Sequence, residues 1–368
     1  MNKQFFRMCI AIGIFMVWAC LFLQTADIQK IATRTFLLGI TATTETDKGL
    51  QWGNLSVGNL FPLYHYVNEH KLAAAETEDQ YTYEMILMQQ ANDESIMSED
   101  LVSQSTETLN PTVSADFSLE KLKDFNYLIN HFYTVDSTTT IGAEQLNAES
   151  LLSYNLKINQ KKSGPKVLIF HTHSQETFRD SVAGDASTTI VGVGAYLAEQ
   201  LNAKGIETIH HTGVYDLING TLDRSKAYEL SEVGVREILK KYPSIEVVID
   251  LHRDGVPENM HLVKEVNGKQ VAKVMFFNGL SRTKTQGDIA YLQNPYIQDN
   301  LAFSLQMQLS MEENYPGVAR KIYLKGYRYS LHMMPKSLLI EAGAQTNTVQ
   351  ETKNAMELLA NVLAEVLL

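Results

Sequence analysis

The sequence predicts an α/β protein built on a mostly parallel, twisted sheet with helices on both faces. Short continuous apolar runs, VLIF at 167–170, VVIDL at 247–251 and LLI at 338–340, read as strands buried on both faces. Stretches of helical periodicity separate them, and strand–helix alternation of this kind implies parallel pairing. Each run also delivers side chains that bind metals or move protons. His171, His173 and Glu176 follow the first, His252, Arg253 and Asp254 the second, and Glu341 the third. Open α/β sheets bind ligands just beyond the carboxyl ends of such strands, so the three runs point to one shared site.

The chain opens on a charge-free apolar run at 8–23, preceded by Lys3 and Arg7. Its length lies between a signal-peptide core and a full membrane span, and no small-x-small pattern closes it before Ala26. Residues 1–26 are therefore expected to form a short cytoplasmic tail and an uncleaved transmembrane signal anchor, with the rest extracytoplasmic at the cell membrane. Cys9 and Cys20 both lie in this segment, which excludes a disulfide framework or cysteine metal site downstream. Residues 27–118 read as a partly disordered or helical tether. The stretch 76–100 is strongly acidic, and 103–118 is polar, without period and interrupted by Pro111. A helix at 119–132 and another from an Asn147 cap to 156 make 119–163 a helical lead-in to the main domain at 164–368. A net charge of −11 excludes general nucleic-acid binding.

After Lys166 the alternation is regular. A helix at 188–204, stopped by Gly205, follows the first strand; then come a strand at 206–210 and a polar loop to 222. Asp223 is the expected cap of a helix reaching 241, with Pro243 beyond it. The strand at 246–251 leads into a hairpin, 261–266 and 270–276, around Asn267-Gly268, read as an insertion. A helix at 296–314, strands at 321–324 and 337–340, and a final helix at 349–367 complete the chain. Asn347 and Thr348 suit capping that last helix.

His173 and Glu176 stand three apart where the chain must turn, so both side chains can aim at one point. Imidazole nitrogen and carboxylate oxygen are ordinary Zn²⁺ ligands, and a catalytic site needs three protein ligands plus an open position. His252, arriving from another strand, is the expected third. The plainer alternative is a pair of histidines hydrogen-bonded in a strand-end cluster. His171 stays open as the first ligand, because positions 171 and 173 of an extended strand face the same side. His173 is preferred because it completes a His-x-x-Glu unit. Glu341 is the expected proton acceptor, with the small residues Ala342, Gly343 and Ala344 leaving room in front of it. Its competing reading is an ion pair with Arg253 or a lysine. Asp250 and Asp254 are candidates to orient a ligand imidazole through its other nitrogen. His210 and His211 read as structural or exposed.

The motifs VLIFHTHSQETF, VVIDLHRDGV, FNGLS, NPYIQDNLAFS and LLIEAGAQTNT, in that order, resemble the stage II sporulation protein P family of endospore-forming bacteria. The likeness runs from 119 to the carboxyl end, and the anchor fits it. The resemblance implies a peptidoglycan hydrolase whose 164–368 domain is similar to the zinc N-acetylmuramoyl-L-alanine amidases, cutting the amide between glycan and stem peptide. It also implies D,D-endopeptidase action on cross-links, and partnership with sporulation proteins D and M during forespore engulfment. Metal and catalytic roles then fall on His173, Glu176, His252 and Glu341. Two rivals remain. One is a zinc carboxypeptidase on free peptides, with Arg253 or Arg328 as carboxylate clamp; the other is a wall-binding scaffold with a purely structural metal.

Overall fold

The computed structural model describes residues 116–368. The expected anchor and most of the tether lie outside the described residues. Two short helices come first, α1 (Leu119–Leu122) and α2 (Phe125–Phe132). A single helix was expected here, and Asp124 is what breaks it. Its carboxylate accepts hydrogen bonds from the Asn126 and Tyr127 amides, so it starts a new helix instead of continuing the old one. The chain then forms β1 (Tyr133–Val135), a strand absent from the helical reading of 119–163. Three residues are too few for a period to register. Helix α3 (Ala148–Ser153) starts behind Asn147, whose side chain accepts from the Ser150 amide.

Strand β2 (Val167–Phe170), helix α4 (Ile190–Ala203) behind a Thr189 cap, and β3 (Thr208–His210) follow. The expected polar loop contains a small ribbon, β4 (Leu217–Ile218) with β5 (Thr221–Leu222). Helix α5 (Ala227–Lys241) begins four residues after Asp223. Asp223 does not cap it, because its carboxylate is taken by the Ser225 amide and hydroxyl. Strand β6 (Val247–Asp254) is longer than expected and includes His252, Arg253 and Asp254. Strands β7 (Val263–Val266) and β8 (Lys269–Ala272) form the hairpin, with Asn267 and Gly268 both at positive φ as a two-residue turn requires.

The expected hairpin strand at 270–276 is in fact two strands. After Lys273 the chain enters the main sheet as β9 (Val274–Gly279), and all six of its residues are buried. A small ribbon, β10 (Arg282–Thr283) with β11 (Gly287–Asp288), precedes α6 (Ile297–Asn314) and β12 (Ile322–Lys325). Strand β13 (Ser337–Ala344) and helix α7 (Val349–Leu367) end the chain; Thr348 and Glu351 close a reciprocal capping box.

The central sheet has seven strands in the order β1-β12-β9-β13-β6-β2-β3. Every neighbouring pair is parallel except β13 with β9. The fold is therefore mixed α/β around a mostly parallel sheet. Alternation along the strands separates two faces. Val167, Ile169, Ile249, Leu251 and Ile340 pack with α4, α6 and α7. Leu168, Phe170 and Val248 pack against α5 on the opposite face. That second face carries the candidate site residues Asp250, His252 and Glu341.

Candidate metal centre

The centre begins with parity. On β6, Asp250, His252 and Asp254 share the face of Val248, and on the adjacent β13, Glu341 shares the face of Leu339. Parallel register places Glu341 opposite His252. Strand β2 stops at Phe170, and the turn after it brings His173 and Glu176 over the same face. Asp216, from the loop after β3, holds that turn: it accepts the Ser174 hydroxyl at 2.8 Å and the Gln175 amide at 2.9 Å. Nothing local marks Asp216 in the sequence, because its partners lie about forty residues away.

His173, Glu176 and His252 are buried, and one ligating atom from each lies within 4.8 Å of the others. Glu176 Oε1 is 3.4 Å from Nδ1 of both histidines. A tetrahedral centre with bonds of roughly 2.1 Å sets its ligands roughly 3.4 Å apart, so the spacing suits Zn²⁺. The donor set of two buried imidazoles and one carboxylate fits as well. The second carboxylate oxygen of Glu176 accepts from the Arg253 amide at 2.8 Å, which fixes the carboxylate's orientation.

Asp250 supports the centre from beneath. Its Oδ1 lies 2.8 Å from His252 Nε2, an ion-pair contact rather than an aligned hydrogen bond. It also accepts from the Thr172 amide and hydroxyl at 2.9 and 2.7 Å. Burial pulls the His252 imidazole down, but Asp250 and Glu176 override this and draw its pKa well above the usual range. Burial likewise pushes Glu176 up, and His252 with the His173 hydrogen bond outweighs it, leaving the carboxylate well below its ordinary value. A field that holds a proton on a buried imidazole is a field that favours a cation.

Glu341 behaves oppositely. Burial raises its carboxyl pKa well above normal; His252 opposes this, while Asp254 and Glu176 add to it. Its Oε2 is buried without a partner, although the residue as a whole is only half-buried. The small residues after it continue the strand, Ala342 pairing with Val274 of β9 and Ala344 with Asp254 of β6 across a bulge. A carboxyl so poised, in register with His252 on the neighbouring strand, suits proton transfer.

The remaining residues sit elsewhere. His171 points to the α4 face, where Nδ1 donates to the Leu251 carbonyl at 2.7 Å and Nε2 lies 2.9 Å from His210 Nε2. A Cβ on Gly194 would come within 2.5 Å of that ring, so α4 can cross the pair only at glycine. His211 contacts the Tyr215 hydroxyl. The Arg253 guanidinium donates to the Thr177 and Asp254 carbonyls, and Asp254 is paired with Arg320. The Arg253 charge still acts on Glu341, opposing the rise in its carboxyl pKa. Arg328 pairs with Glu232 at 3.4 Å. Sequence reading also missed an aromatic wall: Tyr228 of α5 stands edge-on to His173 at 5.5 Å, and Tyr329 packs on Tyr228 at 5.5 Å and on Phe277 at 4.7 Å.

The family described as Stage II sporulation protein P matches this chain over residues 57–364. The stage II sporulation protein P of Bacillus subtilis (strain 168) is 24% identical over 230 residues, covering 56% of this chain and 54% of that protein. The chain thus matches about half the length of that relative. Among solved structures, the N-acetylmuramyl-L-alanine amidase Ami1 from Mycobacterium smegmatis is 13% identical, covering 58% of this chain and 98% of its own, with a TM-score of 0.36. The N-acetylmuramoyl-L-alanine amidase AmiC2 of Nostoc punctiforme is 16% identical over 56% and 96% of the respective chains, with a TM-score of 0.30.

Proposed function

This chain belongs to the stage II sporulation protein P family, and from that premise we propose that it is a zinc-dependent peptidoglycan amidase. The bond cut is the amide between N-acetylmuramic acid and the L-alanine of the stem peptide. The observation that carries this reading is the buried cluster of His173, Glu176 and His252 with the raised carboxyl of Glu341 on the neighbouring strand. Structural zinc usually takes four protein ligands, whereas three leave a position for chemistry.

His173, Glu176 and His252 hold the metal, which when bound supplies a Lewis acid that acidifies water and polarises an amide carbonyl. Asp250 and the Arg253 amide keep His252 and Glu176 in place. Glu341 accepts the proton of the attacking water and returns it to the departing nitrogen. Burial raises the pKa of its carboxyl, which favours taking up the water's proton. The ring of Tyr228 beside His173 keeps that side of the centre dry.

We extend the same proposal to D,D-endopeptidase cleavage of cross-links at this site. It also includes anchoring of the enzyme through 8–23 at the sporulation septum and engulfing membrane, with sporulation proteins D and M as partners. No nucleic acid enters it. A carboxypeptidase would need a cation facing the centre; Arg328 is paired with Glu232, and Arg253, whose charge acts on Glu176 and Glu341, is the clamp that reading would use. The test is a side-by-side assay of a muropeptide and a free peptide, with and without chelator. Chelator-sensitive cleavage of the muropeptide alone is expected; cleavage of the free peptide alone would replace the amidase reading with the carboxypeptidase one.

A further inference from the structure

His252 can serve a metal only if its ring is held with one chosen nitrogen forward. Nδ1 is that nitrogen, 3.4 Å from Glu176 Oε1, while Nε2 lies 2.8 Å from Asp250 Oδ1. A carboxylate behind an imidazole fixes the ring only if the carboxylate is itself fixed. Asp250 stands two residues before His252 on β6 and is 1% exposed, so bulk water does not orient it. What grips it comes from the turn after β2. Parallel register sets Phe170 opposite Asp250, and Thr172 follows two residues further on. The Thr172 amide donates to Oδ1 at 2.9 Å and its hydroxyl to Oδ2 at 2.7 Å, one donor for each oxygen.

The grip is stiff. Thr172 is completely buried, and a β-branched side chain has little freedom about its first torsion. A hydroxyl carries one proton, and that of Thr172 goes to the charged acceptor at the shortest distance. Two further hydroxyls enclose its oxygen, Ser231 of α5 at 3.2 Å and Ser330 of the 326–336 loop at 3.4 Å. Ser231 gives its own proton to the Tyr228 carbonyl at 3.0 Å. The loop is pinned in turn. Asn300 of α6 donates to the Leu331 carbonyl at 2.6 Å, and Glu232 of α5 lies 3.0 Å from His332 Nε2. A Cβ on Gly279 of β9 would collide with the Tyr327 carbonyl, and Tyr329 is held at a φ of 51°, strained for a tyrosine. Strand end, helix and loop thus converge on one hydroxyl, behind the carboxylate that backs His252.

We propose that Thr172 is a positioning residue for the metal ligand His252, acting through Asp250. The proposal rests on the metal-centre reading and is tested apart from it. Zn²⁺ affinity of the full-length chain is measured by competition with a chromogenic chelator, and visible absorption of the Co²⁺-loaded chain reports ligand geometry. Thr172→Val keeps shape and removes the hydroxyl, with Thr172→Ala as the alternative; melting curves identify which folds as wild type. Zn²⁺ binding should weaken about tenfold or more in the folded variant, and the Co²⁺ bands should shift. Thr172→Ser, which keeps the hydroxyl, should return both to near wild type. On an Asp250→Ala background Thr172→Val should add little, because the group it acts through is gone. Wild-type affinity and spectrum in a folded Thr172→Val protein, or a loss that Thr172→Ser does not reverse, overturns the proposal and leaves the metal-centre reading. So does a full additional loss on the Asp250→Ala background. A wild type that binds no Zn²⁺ removes that reading, and the proposal with it.

Discussion

At the scale of single residues, substitution distinguishes the histidine that would meet the metal and the carboxylate that would move the proton. His173→Ala should abolish metal binding in a protein that stays soluble, whereas His171→Ala should keep the metal and lose stability through the Leu251 and His210 contacts. Metal content per chain decides it; a metal-free His171→Ala protein with metal retained in His173→Ala would reverse the assignment. Glu341→Gln keeps shape and removes basicity. The rate should fall roughly 100- to 10,000-fold with metal retained, as loss of general acid–base help typically produces. A metal-replete variant within about tenfold of wild type would end this role for Glu341. Sequence spacing was enough to nominate His173, Glu176, His252 and Glu341 together. It left His171 and His173 unresolved because strand parity treats them alike. The end of β2 at Phe170 removes that parity, and no local signal announces it.

At the scale of elements, the end of β2 is joined to β3 by the His171–His210 pair, which α4 crosses at Gly194. His171 Nδ1 donates to a carbonyl, so its Nε2 accepts and His210 Nε2–H must donate. Burial, with the charge of His211 adding to it, lowers the His210 pKa to about 4. The unfolded chain therefore binds more protons than the folded one between about pH 6.5 and 4. Stability from this group is complete above about pH 6.5 and is lost as pH falls through that window. His210→Gln, which can still donate to His171, should flatten the dependence of melting temperature on pH between 7 and 4. An unchanged slope would show that His210 does not titrate in this way. Strands with strong apolar runs were legible, while β1, β4 and β5 were not, since two or three residues carry no period. Strand β9 was misjudged for another reason. The Asn267-Gly268 turn announces a hairpin but not where its second strand ends, and it is pairing with β12 and β13 that separates β9 from β8.

At the scale of the whole molecule, residues 116–163 are part of the core around the central sheet. Strand β1 pairs with β12, and Leu122, Leu128, Phe132, Leu146, Leu151 and Leu156 are buried in the main cluster. Burying a large apolar side chain contributes about 1.5–3 kcal/mol, so six together rival the whole stability of a domain, about 5–15 kcal/mol. A chain beginning at Asp116 should melt cooperatively and keep its hydrolytic rate. One beginning at Gly164 should not fold, and a cooperative transition in it would disprove the dependence.

The central claim is that the His173–Glu176–His252 cluster is a metal centre that cuts the glycan–peptide amide. Its most direct test counts new L-alanine amino termini released from purified sacculi by metal-stripped enzyme as Zn²⁺ is added back. Release should be negligible at the start, rise with added metal and saturate near one ion per chain, as three protein ligands around a single centre require. Full release by the stripped enzyme, or none at saturating Zn²⁺, would contradict the account.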